Sequence, residues 1–339
     1  MKRFFFRICL FFVFLLLIWW GIALYESNHI YDDYEEMIWT NVSHPRDEYE
    51  VTDWGSHLAY LETFNRAWEN IRYLDRWPRS GKVIVLLHWT PTNSWLWRKI
   101  VPWLIEAGYR VIVPDMLWFG ASSMPDSASD LTSDQQSEVL IWLLDNLWIQ
   151  TFSIAGHDQW SLRVWETITR HPERIEKLIV FNSIWDRDGF HPPAWFGEKN
   201  ISTSFTVWAM WSKPLWRIFA YGAMLGWLKS KRVATTTMIN GYLFPLFHGM
   251  STTYEAFITN FSRIEGDLSL YQAKFPDVDI STMIVWWSHD KILVWEEQIP
   301  VLQELLKIKE SDIHLLDAAH FVQEEVPDEI VWYMTNFLD

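Results

Sequence analysis

Cysteine is almost missing. The 339-residue chain carries one, Cys9, so an internal disulfide and a cysteine-based zinc cluster are both excluded. Cations are scarce as well: 28 Lys and Arg stand against 43 Asp and Glu, a formal charge of −15, which excludes a nucleic-acid partner held by a basic surface. Half of the residues are apolar, so the chain is not a disordered one. His44, His57, His171, His191 and His248 follow no metal-ligand spacing, and neither a metal nor a cofactor is expected. Glycine is the most telling shortage. There are 13, where the usual share of about 7% would give roughly 24. Tryptophan, at 25, is in excess by a similar margin, and the two anomalies look like one event.

What is abundant comes first at the amino terminus. Residues 8–25 carry no charge and follow Lys2, Arg3 and Arg7. The run fits the lower end of a spanning helix, about 17 to 25 residues, and exceeds the apolar core of a signal peptide, about 7 to 15. The expectation is a single-pass membrane anchor over 1–25, with a cytoplasmic N-terminus and everything after Tyr25 exported. Gly21-Ile22-Ala23 has the small-x-small form of a cleavage site, so secretion after cleavage is the alternative. Residues 26–56 are acidic and read as a solvated stalk.

From His57 onward short β-branched runs alternate with amphipathic stretches, the pattern of an α/β fold. Strands are predicted at 83–87, 110–113, 151–155, 177–181, 282–286 and 312–316. Helices are predicted at 97–107, 133–147, 162–171, 296–306 and 327–337. Continuous apolar strands with helical crossovers imply a mostly parallel sheet flanked by helices. The stretch 185–264 breaks the rhythm and reads as a helical cap, dividing the core into 57–184 and 265–339.

Three segments follow in the order nucleophile, acid, base. Ile154-Ala155-Gly156-His157-Asp158-Gln159-Trp160-Ser161 runs from a strand into a helix through a small residue and a reactive one. It resembles the nucleophile elbow of the α/β-hydrolases, with Asp158 where many relatives have serine. Leu86-Leu87-His88-Trp89-Thr90-Pro91 resembles the strand end that supplies an oxyanion amide in that fold. Trp287-Ser288-His289-Asp290 resembles its acid turn, and the run from Asp317 through His320 to Glu325 resembles its histidine loop. The match spans 57–339.

Within this fold an aspartate nucleophile marks haloalkane dehalogenases and epoxide hydrolases, whose carboxylate forms an alkyl ester with the substrate. The resemblance implies that Asp158 attacks, His320 activates water and Asp290 orients the imidazole, while the backbone N–H groups of Thr90 and Gln159 hold the oxyanion. The expected partners are a small apolar organic substrate and water. The run from His88 to Pro102 is similar to haloalkane dehalogenases, although the tryptophan those enzymes place directly after the nucleophile is Gln159 here. An epoxide hydrolase is the alternative; it would need cap tyrosines as acids, and Tyr221, Tyr242 and Tyr254 lie in the insertion.

At five points tryptophan stands where glycine is expected: the resemblance implies it at Trp89, Trp118, Trp160 and Trp287, and Trp148 follows the helix ending at Leu147, where a left-handed glycine is the rule. Strain and overpacking of about 1 to 3 kcal/mol each at every site would sum to roughly 10 to 30, against a domain stability of about 5 to 15 kcal/mol. UGA is read as tryptophan in some bacterial codes and as glycine in others, so a gene read with the wrong table would produce this swap. If Trp89 and Trp160 are genuine, a non-catalytic binding protein of the same fold is the expected reading.

Overall fold

The computed structural model describes residues 2–29, 42–66, 69–77, 81–124, 132–158, 160–186, 188–191, 212–247 and 278–339, with Ser204 and Trp208 alone between them. Its centre is an eight-stranded sheet in the order β1-β2-β4-β3-β5-β6-β7-β8. The strands are β1 (Glu62–Arg66), β2 (Glu69–Arg76), β3 (Val83–Leu86), β4 (Arg110–Pro114), β5 (Phe152–Asp158), β6 (Ile175–Ser183), β7 (Ser281–Trp287) and β8 (Ile313–Leu316). From β4 to β8 all neighbours are parallel, and β1 and β2 add an antiparallel edge.

The helices are α1 (Lys2–His29), α2 (Trp54–Tyr60), α3 (Val101–Glu106), α4 (Ser133–Asn146), α5 (Trp160–Arg170), α6 (Lys213–Gly226), α7 (Thr236–Phe247), α8 (Trp295–Leu306), α9 (Val322–Glu325) and α10 (Pro327–Leu338). Helix α5 packs on α4 and against β5 and β6, α3 lies on β4 and against α10, and α8 lies on β7. β5 is buried along its whole length, because a central parallel strand covered by helices meets water on neither face.

The sequence reading did not predict β1 and β2. Their residues are largely polar, and β2 buries two arginines whose charged groups are met by carbonyls and a hydroxyl. Arg72 donates to Thr63 Oγ1 at 2.7 Å and to Leu58 O at 3.2 Å, and Arg76 donates to Tyr60 O at 2.6 Å. The stalk assigned to 26–56 also needs correction. Tyr49 and Trp54 are buried, and His44 stacks on Tyr60 at 4.1 Å, so chain expected to be solvated belongs to the core. Of that segment, residues 30–41 lie outside the described residues.

Within the predicted cap, the described residues 212–247 are mainly helical, with α6, a 3-10 turn at Lys231–Val233, and α7, while Phe190 forms an isolated bridge with Leu293. Residues 187, 192–203, 205–207, 209–211 and 248–264 of it are outside the described residues. Helix α6 packs on α7 and on α1. The described side chains of α1, residues 10–26, are mostly exposed and apolar. Among the described residues no helix is long and apolar enough to cross a membrane.

Candidate active site

Parallel sheets gather loops at the carboxyl ends of their strands, where ligands bind in open α/β folds. Four of the predicted residues sit there: Thr90 just beyond β3, Asp158 at the end of β5, Asp290 after β7 and His320 after β8. Asp158 closes β5 at φ 54°, a left-handed backbone for a residue with a side chain. Local strain of this kind, about 1 to 3 kcal/mol, lifts a side chain out of a strand-to-helix bend. The β5–β6 register shifts between His157, opposite Phe181, and Asp158, opposite Ser183, which is the last pair of the two strands.

Asp290 and His320 are hydrogen-bonded, Oδ2 to Nδ1, at 2.8 Å, and both are buried. The Asp290 carboxylate is well supplied with donors. Oδ2 also accepts from Asn182 Nδ2 at 2.5 Å and from the Trp287 indole at 3.1 Å. Oδ1 accepts from the backbone of Ile292 at 2.8 Å and Leu293 at 3.2 Å. Burial alone would push this carboxyl up; the charge of His320 and these hydrogen bonds outweigh it and hold the pKa below the usual carboxylate range. Burial likewise opposes protonation of His320. The Asp290 charge and hydrogen bond, and then the Asp158 charge, overcome it and raise the imidazole above its ordinary value.

Asn182 was not singled out in the sequence. It sits near the end of β6 at φ 25°, where its Oδ1 accepts from Trp287 N at 3.2 Å while its amide holds Asp290. A polar Asn interrupting the buried run at the end of a central strand was the available signal. Thr90 lies in a turn that Trp89 O closes by accepting from Thr92 N at 2.6 Å and Thr92 Oγ1 at 2.7 Å. Gln159 is outside the described residues, so the second oxyanion amide has no geometry here. His157 is buried behind the site, 5.0 Å from His320 by ring centroids. Burial and then the neighbouring His320 charge depress its pKa far below the ordinary value, so it stays neutral.

Four of the five tryptophans separate into two kinds. Trp118 at φ 76° and Trp148 at φ 57° hold the left-handed backbone that glycine adopts without strain. Trp148 is the C′ residue of α4. It donates to Asp145 O at 3.0 Å and Ile149 donates to Leu144 O at 3.0 Å, the two bonds of a Schellman cap. Helix α3 ends in the same pair of bonds, Gly108 to Ile105 O and Tyr109 to Leu104 O, and there the C′ residue is a glycine at φ 93°.

Trp89 and Trp287 differ from expectation: neither has a left-handed backbone, so the strain argument does not reach them. Both indoles are buried in ring contacts and fill space instead. Trp89 meets His320 edge-on at 4.5 Å and 82°, and it also contacts Phe321, Trp227 and His157. Trp160 is the first residue of α5; its side chain is outside the described residues. Among the described residues a cavity of about 20 Å³ lies beside this cluster, walled by Pro91, Thr92, Trp216, Trp227, Tyr242 and Phe321 among others. That is space for about one water molecule. Among the described residues no group of His, Cys, Asp and Glu is placed to hold a metal ion.

Residues 82–327 match the family model described as the alpha/beta hydrolase fold. The haloalkane dehalogenase of Psychrobacter cryohalolentis is 23% identical over 286 residues, covering 79% of this chain and 87% of its own. An epoxide hydrolase of Caballeronia sordidicola is 35% identical over 100 residues, 30% of each chain. The crystal structure of haloalkane dehalogenase DbeA from Bradyrhizobium elkani superposes with a TM-score of 0.63 at 17% identity, covering 82% of this chain and 96% of that one; this likeness concerns the fold alone.

Proposed function

The chain belongs to the α/β-hydrolase fold family, and from that premise we propose that it is a haloalkane dehalogenase-like hydrolase that works through an alkyl ester on Asp158. The observation that carries this is the pairing of a carboxylate raised on a left-handed elbow with an imidazole whose protonated form is favoured by both Asp158 and Asp290. The Asp158 carboxylate attacks the halogen-bearing carbon, a C–O bond forms, and halide leaves with the C–X electron pair. Neutral His320 takes a proton from water as the oxygen adds to the ester carbonyl. The tetrahedral oxyanion rests on the Thr90 and Gln159 amides, then collapses to release the alcohol and the Asp158 carboxylate. Asp290 stabilises the imidazolium until its proton is given up. The balance is one haloalkane and one water to one alcohol, one halide and one proton.

Tyr242 favours this reading over an epoxide hydrolase. It lines the cavity, but its hydroxyl donates to Glu324 at 2.6 Å, while Tyr221 is 43% exposed. Neither is placed to protonate an epoxide oxygen, and Tyr254 lies outside the described residues.

The Trp89 indole lying edge-on against His320 supports a second reading for the chain as written, a non-catalytic binding protein with an obstructed site. The enzymatic reading therefore includes glycine, decoded from UGA, at residues 89, 118, 148, 160 and 287. The left-handed backbones of Trp118 and Trp148 support it at two of them. UGG codons at these positions, or tryptophan in the corresponding peptides of the native protein, would remove that part.

We also propose, from the sequence, that the uncharged run 8–25, which is longer than the stretch 10–25 of it whose side chains are described, anchors the protein with its N-terminus in the cytoplasm and the hydrolase exported, as its cationic flank directs. Extraction of the cellular protein by alkaline carbonate would refute it. The chemistry is tested with H320Q, made with tryptophan and with glycine at the five sites and incubated with a bromoalkane. The peptide carrying Asp158 should gain the mass of the alkyl group in the glycine form. Its absence there overturns the ester mechanism; adduct in neither form, with ligand still bound, favours the binding protein.

A further inference from the structure

Two acidic residues close the histidine-loop run, and each joins it to the helical insertion. Glu324 is fully buried in α9. Its carboxylate receives Arg98 through two parallel hydrogen bonds, at 2.5 and 2.8 Å, and lies 3.0 Å from the Lys99 ammonium. On the same carboxylate Oε1 accepts from the hydroxyl of Tyr242, on α7, at 2.6 Å. Arg98 is itself held over the Trp95 ring at 4.1 Å. Glu325 makes the second junction: Oε1 accepts from Ser230 N, between α6 and α7, at 2.6 Å, and Oε2 accepts from Ala319 N, next to His320, at 2.8 Å. The ring of Tyr242 in turn lies 5.2 Å from Phe321, on the other side of His320.

We propose that Glu324 and Glu325 are positioning residues that couple the placement of His320 to the docking of the helical insertion, so that the water-activating base is set only when the cap is seated. The inference rests on the reading of His320 as that base. Neither glutamate reacts. Each fixes a neighbour of the imidazole, Phe321 through Tyr242 in one case and Ala319 in the other, and holds the opposite end on the insertion. Since a displacement of about 1 Å at a reacting group costs up to about a hundredfold in rate, loosening either junction should slow the step that needs His320 and spare the one that needs only Asp158.

The informative variant is Y242F. It removes one hydroxyl and leaves Arg98 with its counter-charge, whereas E324Q strands a buried guanidinium and can fail to fold. Rapid-quench single turnovers with a bromoalkane, on the glycine-decoded full chain, separate halide release from alcohol formation. In Y242F alcohol formation should fall about tenfold to a hundredfold while halide release keeps the parent rate, so the alkyl ester accumulates. E325Q should behave likewise. Equal slowing of both steps, or no change in either, overturns the coupling. Amide hydrogen exchange supplies a readout that needs no turnover: Y242F should lose protection across 319–321 and around Ser230, and unchanged protection overturns the proposal. Should the parent release no halide, the Asp158 mechanism falls, and exchange alone then decides whether the coupling exists.

Discussion

The Schellman cap of α4 makes one substitution quantitative. In W148G the backbone keeps both cap bonds, and the left-handed conformation at φ 57° ceases to be strained. A side chain in that conformation costs about 1 to 2 kcal/mol. Against this, glycine loosens the unfolded chain by about 0.4 to 1 kcal/mol. The indole is 87% exposed, so little burial is lost with it. The variant should be more stable by about 0.5 to 1 kcal/mol, a rise in Tm of about 1 to 3 °C. The cap of α3 supplies the mirror experiment. A Cβ on Gly108 meets nothing within 4 Å, so G108A tests the backbone alone and should lose about 1 kcal/mol. Urea and thermal unfolding of the parent and both variants are the assay. A W148G protein no more stable than its parent would refute the strain reasoning, and with it the structural support for glycine at that position.

In the chain as written W118G should have the opposite sign. Relief of about 1 to 3 kcal/mol at φ 76° is smaller than the about 3 to 5 lost with a buried indole, leaving the variant about 1 to 3 kcal/mol less stable by the same unfolding measurements. Ester hydrolysis needs neutral His320, whose pKa is raised, so the rate should fall as pH drops through a value above 6.5. In D290N the limb should move to lower pH, because burial then acts with less opposition, and the step should slow by up to about 10⁴-fold; pH profiles of single-turnover hydrolysis check both. The stability supplied by the raised imidazole is fully present below the unfolded value of about 6.5 and lost as pH rises through the folded one, so D290N should cost more stability at pH 5 than at pH 9.

The strands that form the body of the sheet were legible because burial on both faces writes them as short unbroken apolar runs. β2 was not, since Arg72 and Arg76 read as surface residues; the carbonyls of Leu58 and Tyr60 that accept from them are separated from them by 14 and 16 residues. The order of Asp158, Asp290 and His320 was legible as motifs, whereas the support around Asp290 was not. Trp287 drew notice only as a misplaced residue, yet its indole donates to that carboxylate. Glu324 was legible only as part of the histidine-loop run; its pairing was not, because Arg98 stands 226 positions away and nothing local marks the pair. Trp148 was legible from a rule about helix ends, while the fit of Trp89 depends on four rings brought from distant parts of the chain.

The indole lying across His320 has a consequence for heredity. On the glycine reading proposed above, with UGA at codon 89, a cell that inserts glycine there would make an open pocket, while one that inserts tryptophan would make a plugged one from the same DNA. Transfer between species using different dictionaries would then deliver an inert product, and the activity would stay confined to lineages that share one reading of a single stop triplet.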